Sequence, residues 1–286
     1  VLGELRGAKF AAWRQVLRNL AEAIAKKKVI LFAGGGVSAA IGLPTYEQLL
    51  ARLAAELGLE PAEFMGLGDY RELAEYYLLE KGSLGALRRF LDIEWHSRNI
   101  DISQSPIHNA IVDLDFPLIY TTNYDRWLEN AFDARSIAYT KVTNVKDLLD
   151  IKSGATQIIK FHGDFDDDNS LVFAESAFLE RLELESPLDI KLRADTLGKS
   201  ILFIGYSLSD INMRFLLYKL NKLWDQAQYA QNRPKSYFFM ARPNVVQERI
   251  LESRGIISIP AETADSTKSL ALFLTQLLER AKVEER

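Results

Sequence analysis

The chain has 286 residues, 48% hydrophobic and 26% charged, with a formal net charge of −4 and no cysteine. Disulfides, cysteine-ligated zinc and thiol catalysis are therefore excluded, and the charge balance carries no direct nucleic-acid signal. No apolar run approaches bilayer-spanning length, so no membrane segment is expected and the cytoplasm is the default compartment.

Phe10, Trp13, Leu17, Leu20 and Ile24 recur at helical spacing and predict a helix from about Leu5 to Lys27, its closing lysines at the negative end of the dipole. The run Val29–Ala33 predicts a buried strand, and Gly34-Gly35-Gly36 with Val37-Ser38 leads into a further helix. Two readings stand side by side here. The glycines cradle a diphosphate with backbone N–H groups, or they only allow close strand–helix packing. A helix near Tyr46–Leu57 ends at Gly58, and the helical pattern then persists from Pro61 to about Asp101. This predicts a helical insert at about residues 61–104 within a single domain spanning 1–286.

Ser105-Pro106 start the next helix as N-cap and first helical residue. A strand at Leu118–Thr121 runs into Thr122-Asn123-Tyr124-Asp125 and a helix to about Phe132. Strands near Ile137–Val142 and Gln157–Phe161 flank a short helix near Val145–Leu149. His162-Gly163-Asp164 follows directly. Asp166-Asp167-Asp168-Asn169 reads as a solvated turn, lacking the glycine spacing and distal glutamate of a calcium loop. Helices at Glu175–Arg181 and Leu188–Leu197 precede a strand at Ser200–Ile204, then Gly205-Tyr206-Ser207-Leu208-Ser209-Asp210 and a helix to about Trp224. Strands at Lys235–Met240 and Ile256–Ile259 and a helix at Ser266–Ala281 close the chain. The alternation predicts an α/β, Rossmann-like, mostly parallel sheet with helices on both faces.

Four strands thus end in small or polar residues, and a parallel sheet gathers such ends at one edge. Gly34-x-Gly36-x-x-Ala39 fits a dinucleotide fingerprint, but the second strand with its acidic residue is displaced by helix; Glu56, near the right distance, sits in a helical pattern. No Gly-Lys-Ser/Thr follows the glycines, which excludes a P-loop, and no Gly-x-Ser-x-Gly elbow supports a serine hydrolase. His96 and His108 lie in helical patterns and are read as structural, and Trp13, Trp95, Trp127 and Trp224 as packing residues. Asn123 and Asp125 also suit a helix cap, a role compatible with catalysis.

Taken together, Gly34-x-Gly36-Val37-Ser38…Gly42-Leu43-Pro44, Thr121-x-Asn123-x-Asp125, His162-Gly163 and Gly205-x-Ser207 resemble the sirtuin (Sir2) superfamily. More closely, Leu43-Pro44-Thr45-Tyr46, Tyr120–Asp125, Lys160–Asp164 and Gly205–Asp210 resemble its Sir2-like branch of bacterial anti-phage defence NADases. The resemblance implies NAD⁺ as substrate. It places Gly34, Gly35, Gly36 and Ser38 at the diphosphate loop, Asn123 and Asp125 at the nicotinamide ribose and carboxamide, and Gly205 and Ser207 at a second phosphate-side loop. It makes Asn123 and His162 catalytic, the first placing the nucleophile and the second acting as a neutral base near pH 7.

The cysteine pairs of zinc-bearing sirtuins are missing, so no zinc and no other metal is expected. The peptide-binding Phe-Gly-Glu stretch is also missing, Leu171–Glu175 being the nearest segment, and Thr45-Tyr46 replace the Asp-Phe that covers the nicotinamide pocket. Water as acceptor then gives nicotinamide and ADP-ribose, with NAD⁺ depletion in defence as the outcome. An NAD⁺-dependent deacylase and a non-catalytic NAD⁺ or ADP-ribose sensing module are the alternatives. A homo-oligomer and a regulatory partner subunit or additional domain are expected of an effector that must be restrained. The start at Val1 rather than Met is that expected of a trimmed chain or of one domain of a longer protein.

Overall fold

The computed structural model describes residues 2–44, 46–96, 99–167, 170–182, 185–206, 211–225 and 232–284. Seven strands form one sheet: β1 (Val29–Ala33), β2 (Leu118–Thr121), β3 (Tyr139–Val142), β4 (Thr156–Lys160), β5 (Ser200–Ile204), β6 (Ser236–Met240) and β7 (Ile256–Pro260). Their order is β3-β4-β2-β1-β5-β6-β7. Every pairing is parallel. The chain lays β2 to one side of β1 and later returns to lay β5 on the other. β1 is therefore at the switch point, where the crevice of an open α/β sheet opens beyond the carboxyl ends.

Register makes this concrete. Ala33 is level with Thr121 on β2 and with Ile204 on β5, and Thr121 is level with Lys160 on β4. The four polar strand ends therefore leave the sheet in one row.

The central strands are buried along their whole length, and alternate residues feed two apolar layers. Leu31, Ala33, Ile119, Leu202 and Ile204 face one layer, which includes helices α1 (Leu2–Ala25), α3 (Tyr46–Leu57), α5 (Tyr70–Lys81), α6 (Gly85–His96), α7 (Pro106–Asp113), α8 (Trp127–Ala134) and α13 (Ser266–Glu284). Ile30, Phe32, Tyr120, Ile201 and Phe203 face the other, with α10 (Pro187–Thr196), α11 (Ile211–Asp225) and α12 (Val245–Ser253). The short helices α2 (Gly35–Ala39) and α4 (Pro61–Met65) and helix α9 (Glu175–Leu182) complete the set. Among the described residues no helix is long and apolar enough to cross a membrane.

Local chemistry explains several boundaries. Ser105 caps α7 with Pro106 in its first turn, and a capping box of Asp69 and Glu72 starts α5, which stops at Gly82 in the left-handed region. Three expectations change. The first helix ends at Ala25, because Lys27 turns out at φ 56° and its ammonium donates to the Asp115 carbonyl at 2.9 Å; the lysines lie beyond the helix instead of closing it. Val145–Leu149 is replaced by a 3₁₀ segment at Lys146–Asp150. Helix α12, with no counterpart in the sequence reading, supplies the crossover that two parallel strands require.

The glycine loop is stitched across the switch point. Gly34 N–H donates to Ile204 C=O and Gly36 N–H to Gly205 C=O, both at 2.9 Å. Gly205 has φ +72°, and a Cβ there would lie 2.7 Å from the Gly34 oxygen and 2.9 Å from the Val37 nitrogen. Gly205→Ala is expected to lose about 1–3 kcal/mol in urea unfolding, whereas Gly35→Ala, whose Cβ would meet nothing within 4 Å, should stay within about 0.5 kcal/mol of the wild type.

Candidate active site

A cavity of about 610 Å³ opens at the level strand ends. Its size suits a small-molecule ligand. Of the residues singled out by sequence, Gly35, Gly36, Ser38, Asn123, Asp125, His162 and Gly205 all line it. Gly34 sits one step back, packed against Gly205 and the Tyr206 ring. Ser207 lies outside the described residues, as do Thr45, Ser209 and Asp210 and, in the acidic turn, Asp168 and Asn169.

The glycines divide their work. The N–H groups of Gly34, Gly36 and Val37 are engaged within the protein, and a Cβ on Gly34 or Gly36 would come within 2.8 Å of the Gly205–Tyr206 segment. Close packing therefore accounts for those two. Gly35 alone of the three faces open space.

Ser38 takes a role that sequence reasoning did not assign. Its hydroxyl donates to Asp125 Oδ2 at 2.6 Å and accepts from Asn123 Nδ2 at 2.7 Å. Asn123 Nδ2 also donates to the Gly34 carbonyl at 3.2 Å. Both amide protons thus have acceptors inside the protein, and Oδ1 is the polar atom left to receive a proton-bearing group. Asp125 Oδ1 meanwhile accepts at 3.0 Å the N–H of Trp127, the first residue of α8, whose N-cap position is Arg126. Tyr206 ties the row together by donating to the Ala33 carbonyl at 3.1 Å, with its hydroxyl 2.9 Å from Thr122 Oγ1.

Lys160 anchors the loop from below. Fully buried, it reaches the Asp125 main-chain carbonyl, Asp164 Oδ2 at 3.2 Å and Glu129 Oε1 at 3.3 Å. Burial alone would strip its proton, but Glu129, Asp164 and Asp125 outweigh that and hold the ammonium above its usual range. Burial pushes Glu129 up against the pull of Lys160.

His162 lines the cavity half-buried, and burial together with the nearby Arg181 cation pushes it down to about 3. The imidazole, expected to be a neutral base near pH 7, stays neutral well into acid. Arg181 is held over the Phe161 ring at 4.2 Å and beside Asp189 at 3.0 Å.

The two other histidines are structural, as expected. His96 Nε2 accepts the Arg126 N–H at 3.0 Å, and Nδ1 lies 2.8 Å from Asp92 Oδ1. Asp166, read as part of a solvated turn, accepts from Lys141 Nζ at 2.6 Å and lies 3.6 Å from Arg126. Among the described residues no cluster of His, Asp and Glu could hold a metal.

Thr122 and Tyr206, in strand ends expected to share one crevice, line the cavity; sequence reasoning missed Phe178, and also Asp69, Tyr70 and Arg71 at the start of α5. Trp95, read as packing, packs on Phe165 and lines the cavity as well. The Asp69–Glu72 capping box marks a helix start in the sequence, but nothing local tells that this start faces the strand ends.

His108 gives a stability prediction. Its Nδ1 lies 2.8 Å from Ser105 Oγ, and burial pushes it down to about 4 against the opposing pull of Asp125. The unfolded chain therefore binds more protons once the pH falls below about 6.5. The stability due to a neutral His108 is complete above that value and lost as the pH falls towards 4, by up to about 3 kcal/mol. His162 acts with the same sign. Urea unfolding at pH 7 and 4.5 should show a smaller acid loss for His108→Gln than for the wild type; equal losses would place the sensitivity elsewhere.

A family model described as a SIR2-like domain matches residues 117–259, half of the chain. NAD(+) hydrolase ThsA of Bacillus cereus (strain MSX-D12) is 28% identical over 216 residues, covering 74% of this chain and 44% of that protein. NAD(+) hydrolase ThsA of Enterococcus faecium is 30% identical over 211 residues, covering 71% and 42%. Defense-associated sirtuin 2 of Bacillus subtilis is 25% identical over 258 residues, covering 86% and 24%. The chain thus spans less than half the length of these three curated relatives. The matched segment carries the Asn123–Asp125 turn, His162 and Gly205, and on this match the chain belongs to the SIR2-like domain family.

Proposed function

We propose that this protein is an NAD⁺ glycohydrolase, cleaving the nicotinamide–ribose bond with water to give nicotinamide and ADP-ribose. The observation that carries the reading is the convergence of Asn123, Ser38, Asp125 and His162 on one cavity at the switch point of a SIR2-like sheet. The names of the relatives, NAD(+) hydrolase and defense-associated sirtuin, support this activity and a defence role. In that role the protein would act on the cytoplasmic NAD⁺ pool as an anti-phage effector. Restraint by self-assembly or by a regulatory partner belongs to the same proposal, as does an insert at residues 61–104.

The chemistry asks little of the protein. Nicotinamide leaves as a neutral group from a cationic one, and positive charge builds on the ribose carbon. Asn123, held by Ser38 and Gly34, offers Oδ1 to orient water, and the Asp125 carboxylate adds negative potential behind it. Water joined to an oxocarbenium carbon is strongly acidic, so an imidazole far weaker than usual suffices to take its proton. The deacylase alternative finds little support. Val172 and Phe173, in the segment nearest to a peptide-binding stretch, are buried. Val172 N–H is bonded to His162 C=O at 2.9 Å, and its C=O accepts the Tyr124 hydroxyl at 2.6 Å.

Asn123→Ala and His162→Ala should each lower nicotinamide release by about a hundredfold or more while leaving the unfolding midpoint near that of the wild type. Wild-type rates in both would remove the site assignment. With a neutral His162, release should also stay flat between about pH 5.5 and 8, and a titration midpoint near 6.5 would contradict that neutrality.

A further inference from the structure

Three aromatic rings run along one side of the cavity. His162 meets the Phe178 ring edge-on, with centroids 5.3 Å apart and planes at 88°. Phe178 meets Tyr70 in the same manner, at 6.0 Å and 85°. All three line the cavity, yet each comes from a different element: the end of β4, helix α9 and the start of α5. The contact between the two helices is braced, since Glu75 on α5 accepts the Ser176 N–H of α9 at 2.9 Å. Behind His162, Phe161 stacks at 5.9 Å and 25°. The imidazole is therefore flanked by carbon, and the space beside it is bounded by a ring that is only 4% exposed.

We propose that Phe178, backed by Tyr70, is the specificity-determining residue that confines the acceptor to water. This rests on the glycohydrolase reading. In the step concerned, the bond between C1′ and the nicotinamide nitrogen breaks and its electron pair leaves with nicotinamide. An acceptor oxygen forms the new bond to C1′, and the acceptor's proton passes to neutral His162. Water and an alcohol undergo the same balanced step, giving ADP-ribose or its alkyl riboside. They differ only in the carbon that must fit beside His162, where the Phe178 ring stands. A rigid apolar wall discriminates by about tenfold or more per added methylene, because the extra carbon must displace packed atoms. An acyl-lysine chain meets the same wall, which makes Phe178 a physical reason for hydrolysis over deacylation.

The test reads product ratios, which do not depend on rate. Wild type, Phe178→Ala, Phe178→Leu and Tyr70→Ala are incubated with NAD⁺ and matched concentrations of methanol, ethanol or 1-propanol. ADP-ribose, alkyl ribosides and nicotinamide are quantified by mass spectrometry. For the wild type, the alkyl riboside fraction should fall by about tenfold per added methylene. Phe178→Ala should flatten the series to within about threefold, with Phe178→Leu between the two. Tyr70→Ala, which removes the support from another helix, should flatten it in the same direction and decides the matter if the Phe178 variants do not fold. A wild-type series indifferent to alcohol size, or variants that keep the wild-type series, would overturn the acceptor rule while leaving the hydrolase reading intact. No nicotinamide release by the wild type under any condition would overturn both.

Discussion

The structure depends on a close approach of two backbones. The loop after β1 and the loop after β5 meet at the switch point with no space for side chains between Gly34, Gly36 and Gly205. Only glycine permits that contact, and at Gly205 it must also adopt a positive φ. The two N–H to carbonyl bonds across the seam fix the floor of the cavity. From that floor Ser38 rises on α2 at the right height to bridge Asn123 and Asp125. A glycine-rich stretch that looks like a ligand cradle is, at two of its three positions, the joint on which the ligand site is mounted.

A second joint holds the other half of the site. Lys160 ends β4 two residues before His162, and its ammonium reaches the carbonyl of Asp125, two residues after Asn123. One buried cation thus ties the Asn123 loop to the His162 loop. Burying it is tolerable because Glu129 and Asp164 surround it; removing it would take the cation from buried Glu129, at a cost of about 3–5 kcal/mol, while Asp164 keeps Lys141 at 3.5 Å. Such an arrangement trades stability for fixed geometry, which suits a site whose proposed catalytic groups come from different loops.

The helices between β1 and β2 belong to this design. They come in the chain before the strand that pairs with β1, and Glu56, the acid nearest the fingerprint distance, is bonded to Tyr77 and Arg52 within them. In exchange they bring Asp69, Tyr70, Arg71 and Trp95 to the cavity wall. Helix α9 completes that wall and serves His162 twice: Phe178 bounds the ring, and Arg181 one turn later helps keep it uncharged. The neutrality of the histidine is thus a property of α9 as much as of β4.

What was legible in the sequence followed from short-range rules. Apolar runs of four or five residues marked the central strands β1, β2 and β5, and Ser105-Pro106 and Gly58 carried the conformational chemistry of helix ends. The crossover α12 was not read from the sequence, although the parallel topology demands it. The sequence by itself determined the parallel α/β sheet, the absence of cysteine-bound zinc and the identity of the strand-end residues, because each follows from residue type and local spacing. Only the tertiary structure decided that Gly34 and Gly36 pack while Gly35 stays open, that Ser38 links Asn123 to Asp125, and that Phe178 and Tyr70 stand beside His162. Those relations join residues tens of positions apart, and distance through space is set by sheet register and helix packing rather than by local pattern.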